Sequence, residues 1–204
     1  MSLPQVSIIG RPNVGKSSIF NWLAGTRLAI VDDKAGVTRD RMTYLLREEG
    51  RYFEIVDTGG IGINDVDELD EEIETQIEVG IRDADVLMFV VDVKDGKVSL
   101  DEKVTRRLRG LDKPILIVAN KCDGDNWELE ANDFFSLGFG EPLCCSAKNN
   151  RHKQDLLAAI VERLPDQAEI DKRETRRPEM KFALVGRRNV GKSTFINTLV
   201  ESER

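Results

Sequence analysis

"GRPNVGKSS" occupies residues 10–18, and "GRRNVGKST" recurs at 186–194. The first copy follows a short β-rich run, "QVSII" at 5–9, and precedes a helical apolar pattern made by Ile19, Phe20 and Leu23. Gly10, Gly15, Lys16 and Ser17 satisfy the spacing G-x-x-x-x-G-K-[ST], with Arg11, Pro12, Asn13 and Val14 between the glycines and Ser18 after them. Glycines let the backbone turn tightly enough for successive N–H groups to converge on phosphate oxygens at a helix N-terminus. Lys16 supplies a point charge for β- and γ-phosphates, and the Ser17 hydroxyl is a ligand for Mg²⁺. Strand, glycine-rich loop and helix in that order predict the phosphate-binding edge of an α/β domain.

The second copy extends beyond nine residues. "KFALVG" at 181–186 repeats the role of "QVSIIG" at 5–10, and Asn21 and Leu23 reappear as Asn197 and Leu199, at a constant offset of 176 positions. A strand–loop–helix unit has been copied in register, with a second phosphate loop at Gly186, Asn189, Gly191, Lys192, Ser193 and Thr194. Between the copies, "PDQAEIDKRETRRPEMK" at 165–181 carries five acidic and five basic side chains and almost nothing apolar, the composition of a solvated linker. The chain therefore divides into a first domain at 1–164, a charged linker at 165–180 and the start of a second domain at 181–204. One strand and one helix bury too little surface to fold alone. The second loop is thus expected not to bind nucleotide in this chain, which reads as a fragment or truncated product.

Composition excludes several classes. The 204 residues are 40% hydrophobic and 33% charged, enough apolar content for a core and too much for a disordered chain. The longest apolar run, "VLMFVV" at 86–91, is far short of the roughly 18 residues of a membrane span. "MSLPQVSIIG" shows no basic region followed by an apolar block, so no secretory signal is expected. Cys122, Cys144 and Cys145 make no metal-binding spacing, and a reduced cytoplasmic setting fits them. A net charge of −7 argues against nucleic-acid binding through bulk electrostatics.

The rhythm of the chain predicts a mainly parallel, six-stranded sheet with helices on both faces, a three-layer α/β sandwich. After the polar stretch 26–40, β-like runs at 41–47 and 51–57 flank the turn "EEG". Leu69, Ile73, Ile77 and Ile81 mark a helix over 68–83. Strand and helix then alternate: 85–92, 99–111, 114–120, a helical or irregular 126–138, 142–147, and 153–164, where Pro165 stops the last helix.

Three further motifs fall at the ends of these strands. "DTGG", Asp57, Thr58, Gly59 and Gly60, places a carboxylate where Mg²⁺ is held through water, and Gly60 offers a backbone N–H toward a γ-phosphate. "NKCD" holds Asn120, Lys121 and Asp123. The Asp123 carboxylate can accept from the N1/N2 edge of guanine, while Asn120 can address the O6/N7 side. Adenine presents the wrong pattern and would leave a buried carboxylate unpaired. "SAK", Ser146, Ala147 and Lys148, is ready to aim the Ala147 N–H at O6. Asp-Thr-Gly-Gly alone could be a mere turn, and "SAK" alone means little; the order along successive strands is what is specific.

That order, with the lone Thr38 of "GVTRD" between the phosphate loop and "DTGG", resembles the translation-factor-related class of P-loop GTPases. The tandem loop, "AIVDDKAGVTRDR" at 29–41 and "FFSLGFGEP" at 134–142 resemble its bacterial members with two GTPase domains, which act in assembly of the large ribosomal subunit and add a KH-like RNA-binding domain. The resemblance spans nearly the whole chain. It implies GTP and GDP as ligands, a cytoplasmic GTP-hydrolysing switch, a ribosomal precursor as partner, and Lys16, Thr38, Gly60 and Asn13 as catalytic groups. Thr38 would close on Mg²⁺ and the γ-phosphate. Asn13 would hold K⁺, although stabilising the loop's turn is its alternative role. The chain is expected to be monomeric. Ile61 stands where many GTPases orient water with glutamine, so turnover is expected to be slow. A nucleotide-binding interaction module with negligible turnover, and an ATP-using enzyme, are the competing readings. Ala35 in place of the proline usual before the "GVTRD" glycine, and the glycine-free "NNRHKQ" at 149–154, depart from the class.

Other features are expected to be structural. Eight acidic and no basic side chains at 64–78 form the solvated face of a helix. Trp127, Phe134 and Phe135 are expected to pack, and His152 receives no role.

Overall fold

The computed structural model describes residues 3–25, 30–31, 42–58, 78 and 80–166. Among them, seven strands form one sheet in the order β2-β3-β4-β1-β5-β6-β7. These are β1 Gln5–Ile9, β2 Ile30–Val31, β3 Met42–Glu48, β4 Arg51–Asp57, β5 Val86–Asp92, β6 Ile115–Asn120 and β7 Leu143–Cys144. The helices are α1 Lys16–Ala24, α2 Ser99–Leu108, α3 Asn126–Ala131 continuing as a 3₁₀ helix over Asn132–Leu137, and α4 Lys153–Arg163. The expected mostly parallel sheet is present: β4, β1, β5, β6 and β7 run parallel, and the β3–β4 hairpin is antiparallel. A two-residue edge strand, β2, adds to the six read from sequence by pairing antiparallel with β3. The helix expected at 68–83 lies outside the described residues except at 78 and 80–83, which are helical.

Burial explains the order. All seven residues of β5 are buried, because helices cover both faces of a central parallel strand. Side chains alternate between the faces: Val86, Met88 and Val90 join one cluster with Phe20 of α1 and Ile160 of α4. Leu87, Phe89 and Val91 join the other with Val104 and Leu108 of α2 and Phe134 of the 3₁₀ helix. Each fully buried side chain of this size is stabilised by about 1.5–3 kcal/mol through removal from water. Trp127 packs against the second cluster, whereas Phe135, expected to pack as well, is 60% exposed. Consecutive positions in a 3₁₀ turn cannot both face the core, and Phe134 takes the inner one.

Register then fixes where the motifs stand. Ile8 pairs with Asp57, Ile9 with Phe89 and Asp92 with Asn120, so β1, β4, β5 and β6 finish along one edge. β1 lies between β4 and β5: the chain leaves β1 toward β2 and β3 on one side and leaves β4 for β5 on the other, which opens the crevice where such sheets bind ligands. At the opposite edge, Arg51, the first residue of β4, donates to the Val161 carbonyl at 3.1 Å and the Pro165 carbonyl at 2.5 Å.

Candidate functional site

The phosphate loop leaves β1 at Gly10 and enters α1 at Lys16. Gly15 adopts φ 96°, and a Cβ there would fall 2.3 Å from Asn120 Nδ2. At Gly10 a Cβ would meet the Val90 carbonyl oxygen at 2.4 Å. Glycine is required at both positions by close approach, and at Gly15 by the left-handed backbone also. Lys16 is buried, and its ammonium donates to the carbonyls of Gly10 at 2.8 Å and Arg11 at 3.0 Å, which places the charge inside the curve of the loop. Ser17, Ser18 and Asn13 are exposed, Pro12 and Gly15 are half-buried, and Val14 is anchored in the core.

Asp57 ends β4 with its side chain buried, and Thr58 after it donates its hydroxyl to the Ile8 carbonyl at 2.7 Å, tying β4 to β1 beside the loop. A hydroxyl from Ser17 and a carboxylate from Asp57 are hard oxygen donors, which suits Mg²⁺ completed by phosphate and water. Among the described residues no group of three or more His, Cys, Asp or Glu could hold a metal by itself. Thr38, Gly59, Gly60, Ile61, the acidic stretch 64–77, and the second loop from Gly186 to Thr194 (Asn189, Gly191, Lys192 and Ser193 within it) lie outside the described residues.

The base-side loops converge on the phosphate loop. Asn120 Nδ2 donates to the Val14 carbonyl at 2.9 Å, and its Oδ1 accepts from the Ala147 N–H at 3.4 Å. Both ends of this amide are engaged by the protein, so Asn120 joins the loops to each other. Lys121, held at φ 70°, donates to the Asn13 carbonyl at 2.9 Å and to Asp92. Fully buried Ser146 donates to Asp123 Oδ1 at 2.7 Å and accepts from the Asn149 N–H at 3.1 Å. Lys94 donates to Asp123 Oδ2 at 2.5 Å. The Lys94 and Ser146 bonds together hold the Asp123 carboxyl below its ordinary range. Lys148 is exposed.

One segment, 92–101, was not singled out by sequence. Buried Asp92 takes the Lys121 ammonium, and Arg11 of the phosphate loop donates to Asp95 at 2.7 Å and faces fully buried Asp101 at 3.4 Å. Asp101 also accepts from the Val98 N–H at 3.1 Å, capping α2. Burial pushes the Asp101 carboxyl up, whereas the Arg11 hydrogen bond holds Asp95 down. "VVDVKDG" at 90–96 was the available signal: charges resuming directly after an apolar strand. His152, also unassigned, starts α4 at φ 59° and lies 2.9 Å from Asp155 and 3.3 Å from Glu128.

The chain resembles known proteins along its whole length. A family described as "50S ribosome-binding GTPase" matches residues 5–121 and 181–204. GTPase Der of Rhodopirellula baltica is 52% identical over 206 residues, covering 100% of this chain and 44% of that protein. GTPase Der of Ligilactobacillus salivarius is 44% identical, covering 100% of this chain and 46% of that protein. This chain thus spans less than half the length of either relative. Among solved structures, Aquifex aeolicus Era bound to GDP and aluminium fluoride superposes with a TM-score of 0.65 at 28% identity, over 81% of this chain and 58% of that one. Era in complex with MgGDPNP and a segment of 16S ribosomal RNA gives 0.63 at 26% identity, over 90% and 60%. Among the described residues no helix is long and apolar enough to cross a membrane.

Proposed function

The chain belongs to the family of 50S ribosome-binding GTPases, and from that premise we propose that its first domain binds GTP and GDP with Mg²⁺ and hydrolyses GTP as a switch in ribosome assembly. The observation that carries this reading is the joined pair of loops: Asn120 links the Val14 carbonyl to the Ala147 N–H, and Ser146 orients Asp123. A triphosphate at one end and a guanine edge at the other would occupy these linked loops together.

Each group then has one task. Lys16 exchanges its bonds to the Gly10 and Arg11 carbonyls for β- and γ-phosphate oxygens. Backbone N–H groups of residues 13–18, with that of Arg11, cradle the phosphates at the start of α1, Pro12 having none to give. Asp123 accepts from guanine N1–H and N2–H, and the Ala147 N–H serves O6. Ser17 and, through water, Asp57 would hold Mg²⁺, with Thr38 closing on it, and the ion would supply charge neutralisation at the phosphates. Thr58, Gly59 and Gly60 complete the γ-phosphate side, and Asn13, exposed at the loop's apex, offers oxygen ligands to K⁺ as an aid to turnover. The ribosomal partner is supported by the family's description and by the RNA held by one Era neighbour. Ile61 favours a second reading, a nucleotide-binding module with negligible turnover, because isoleucine cannot orient water.

Titration with GDP and ADP in Mg²⁺ tests the first claim: tight GDP binding, no ADP binding and, in Asp123→Asn, a shift toward xanthine are expected. Equal affinity for GDP and ADP removes it. Single-turnover GTP hydrolysis, in KCl and then in equal NaCl, separates switch from module; matched rates in the two salts remove the K⁺ role.

A further inference from the structure

The Asp123 carboxylate is held from two sides that differ in burial. Behind it, fully buried Ser146 donates to Oδ1 at 2.7 Å. On its other oxygen, Lys94 donates to Oδ2 at 2.5 Å, and this contact is open to solvent, with the two side chains 41% and 21% exposed. A base entering the pocket meets the solvent-open side, so Lys94 stands in its path and Ser146 does not. Lys94 also has a second partner, which it faces from the same position. Its ammonium is 5.9 Å from the centroid of the Trp127 ring, within range of a cation–π contact, and its backbone is pinned by its own N–H to Asp92 Oδ1 at 3.0 Å. The stem is fixed at one end while the charged tip has two partners.

We propose that Lys94 is a specificity-determining gate on the base pocket: its ammonium occupies the face of Asp123 that guanine N1–H and N2–H would take, and it yields that face by swinging onto Trp127. The inference rests on the guanine reading above and deepens it. A guanine edge replaces the ammonium with two directed N–H donors, so the carboxylate stays satisfied. Adenine offers no such pair at that edge and leaves Lys94 in place. The gate therefore sharpens selection against adenine while lowering the net affinity for guanine, because an existing ion pair is broken on binding. It also quickens nucleotide release, since a returning ammonium is at hand when the base departs.

The experiment compares the full chain with Lys94→Met, which keeps the stem, and Lys94→Arg, which keeps the charge, using GDP and inorganic pyrophosphate as probes. An exposed or half-exposed ion pair is a modest competitor, so Lys94→Met is expected to lower the GDP dissociation constant about two- to tenfold relative to that for pyrophosphate, with slower GDP release. Lys94→Arg is expected to behave as the parent chain. In a Trp22→Phe background, GDP should change Trp127 emission in the parent and not in Lys94→Met. Unchanged or weakened GDP binding in Lys94→Met overturns the gate, as does an equal gain for pyrophosphate. If neither chain binds GDP, the guanine reading falls and the gate with it; GDP binding without the Lys94→Met gain removes the gate alone.

Discussion

Asn120 and Val14 stand 106 positions apart in the chain and are joined by one hydrogen bond, Asn120 Nδ2 to the Val14 carbonyl at 2.9 Å. The other end of the same amide takes the Ala147 N–H. Asn120→Ala leaves a buried acceptor and a half-buried donor unmatched, at a cost to stability of about 1–3 kcal/mol for each. Because the tie reaches the phosphate loop, this variant should weaken pyrophosphate as well as GDP. Isothermal titration with both ligands checks it; pyrophosphate binding at the parent's affinity contradicts the tie.

Asp101 gives the fold a pH signature. Burial raises its carboxyl above the unfolded value, so ionisation is harder in the folded chain. Its contribution to stability is therefore complete below the ordinary carboxylate pKa, about 3.9, and is lost as pH rises through the raised folded value. Asp101→Asn keeps an acceptor for the Val98 N–H and removes the titration. Urea unfolding of the two chains from pH 4 to pH 7 should show the variant gaining on the parent as pH rises, and a constant difference would rule out the assignment.

Phe134 carries the packing of the 3₁₀ helix on the sheet. It is fully buried among Phe89, Val104 and Leu108. Phe134→Ala should cost about 3–5 kcal/mol by urea denaturation, while Phe135→Ala, at an exposed position, should cost less than about 0.5 kcal/mol.

The three free thiols should react in a fixed order. Cys144 is half-buried, and the neighbouring Cys122 thiol lowers its pKa. Burial pushes Cys145 up to about 12, and Cys122 is raised by the same contact with Cys144 and by burial. Thiolates are the reactive form. Iodoacetamide at pH 8 followed by peptide mapping should label Cys144 well before the other two, and GDP should not alter that order.

Sequence made the sheet legible because β1 and β6 are apolar runs closed by the motif residues themselves, β5 is an unbroken apolar run between them, and a parallel sheet aligns their ends. Phosphate and base loops were legible for the same reason: glycine spacing and strand-end carboxylates are local signals. What stayed hidden has no period. Arg11 with Asp95, Lys121 with Asp92 and Lys94 with Asp123 connect residues 84, 29 and 29 positions apart, and nothing in their spacing announces a contact. Asn120 was assigned to the base because its motif includes it, and nothing in that motif announced the tie it also makes between two loops. Phe135 was grouped with Phe134 by hydrophobicity, although the tighter turn of a 3₁₀ helix gives neighbours opposite surroundings.

The clamp from Arg51 to the Val161 and Pro165 carbonyls sets a measure of reach. Arg51 begins β4 and Asp57 ends it, seven residues that span about 20 Å at the usual rise of a strand. Pro165 is thereby tethered on the far pole of the sheet from the phosphate loop. Pro165 itself, about six fully extended residues' length from that loop, is out of reach of any group the loop could hold.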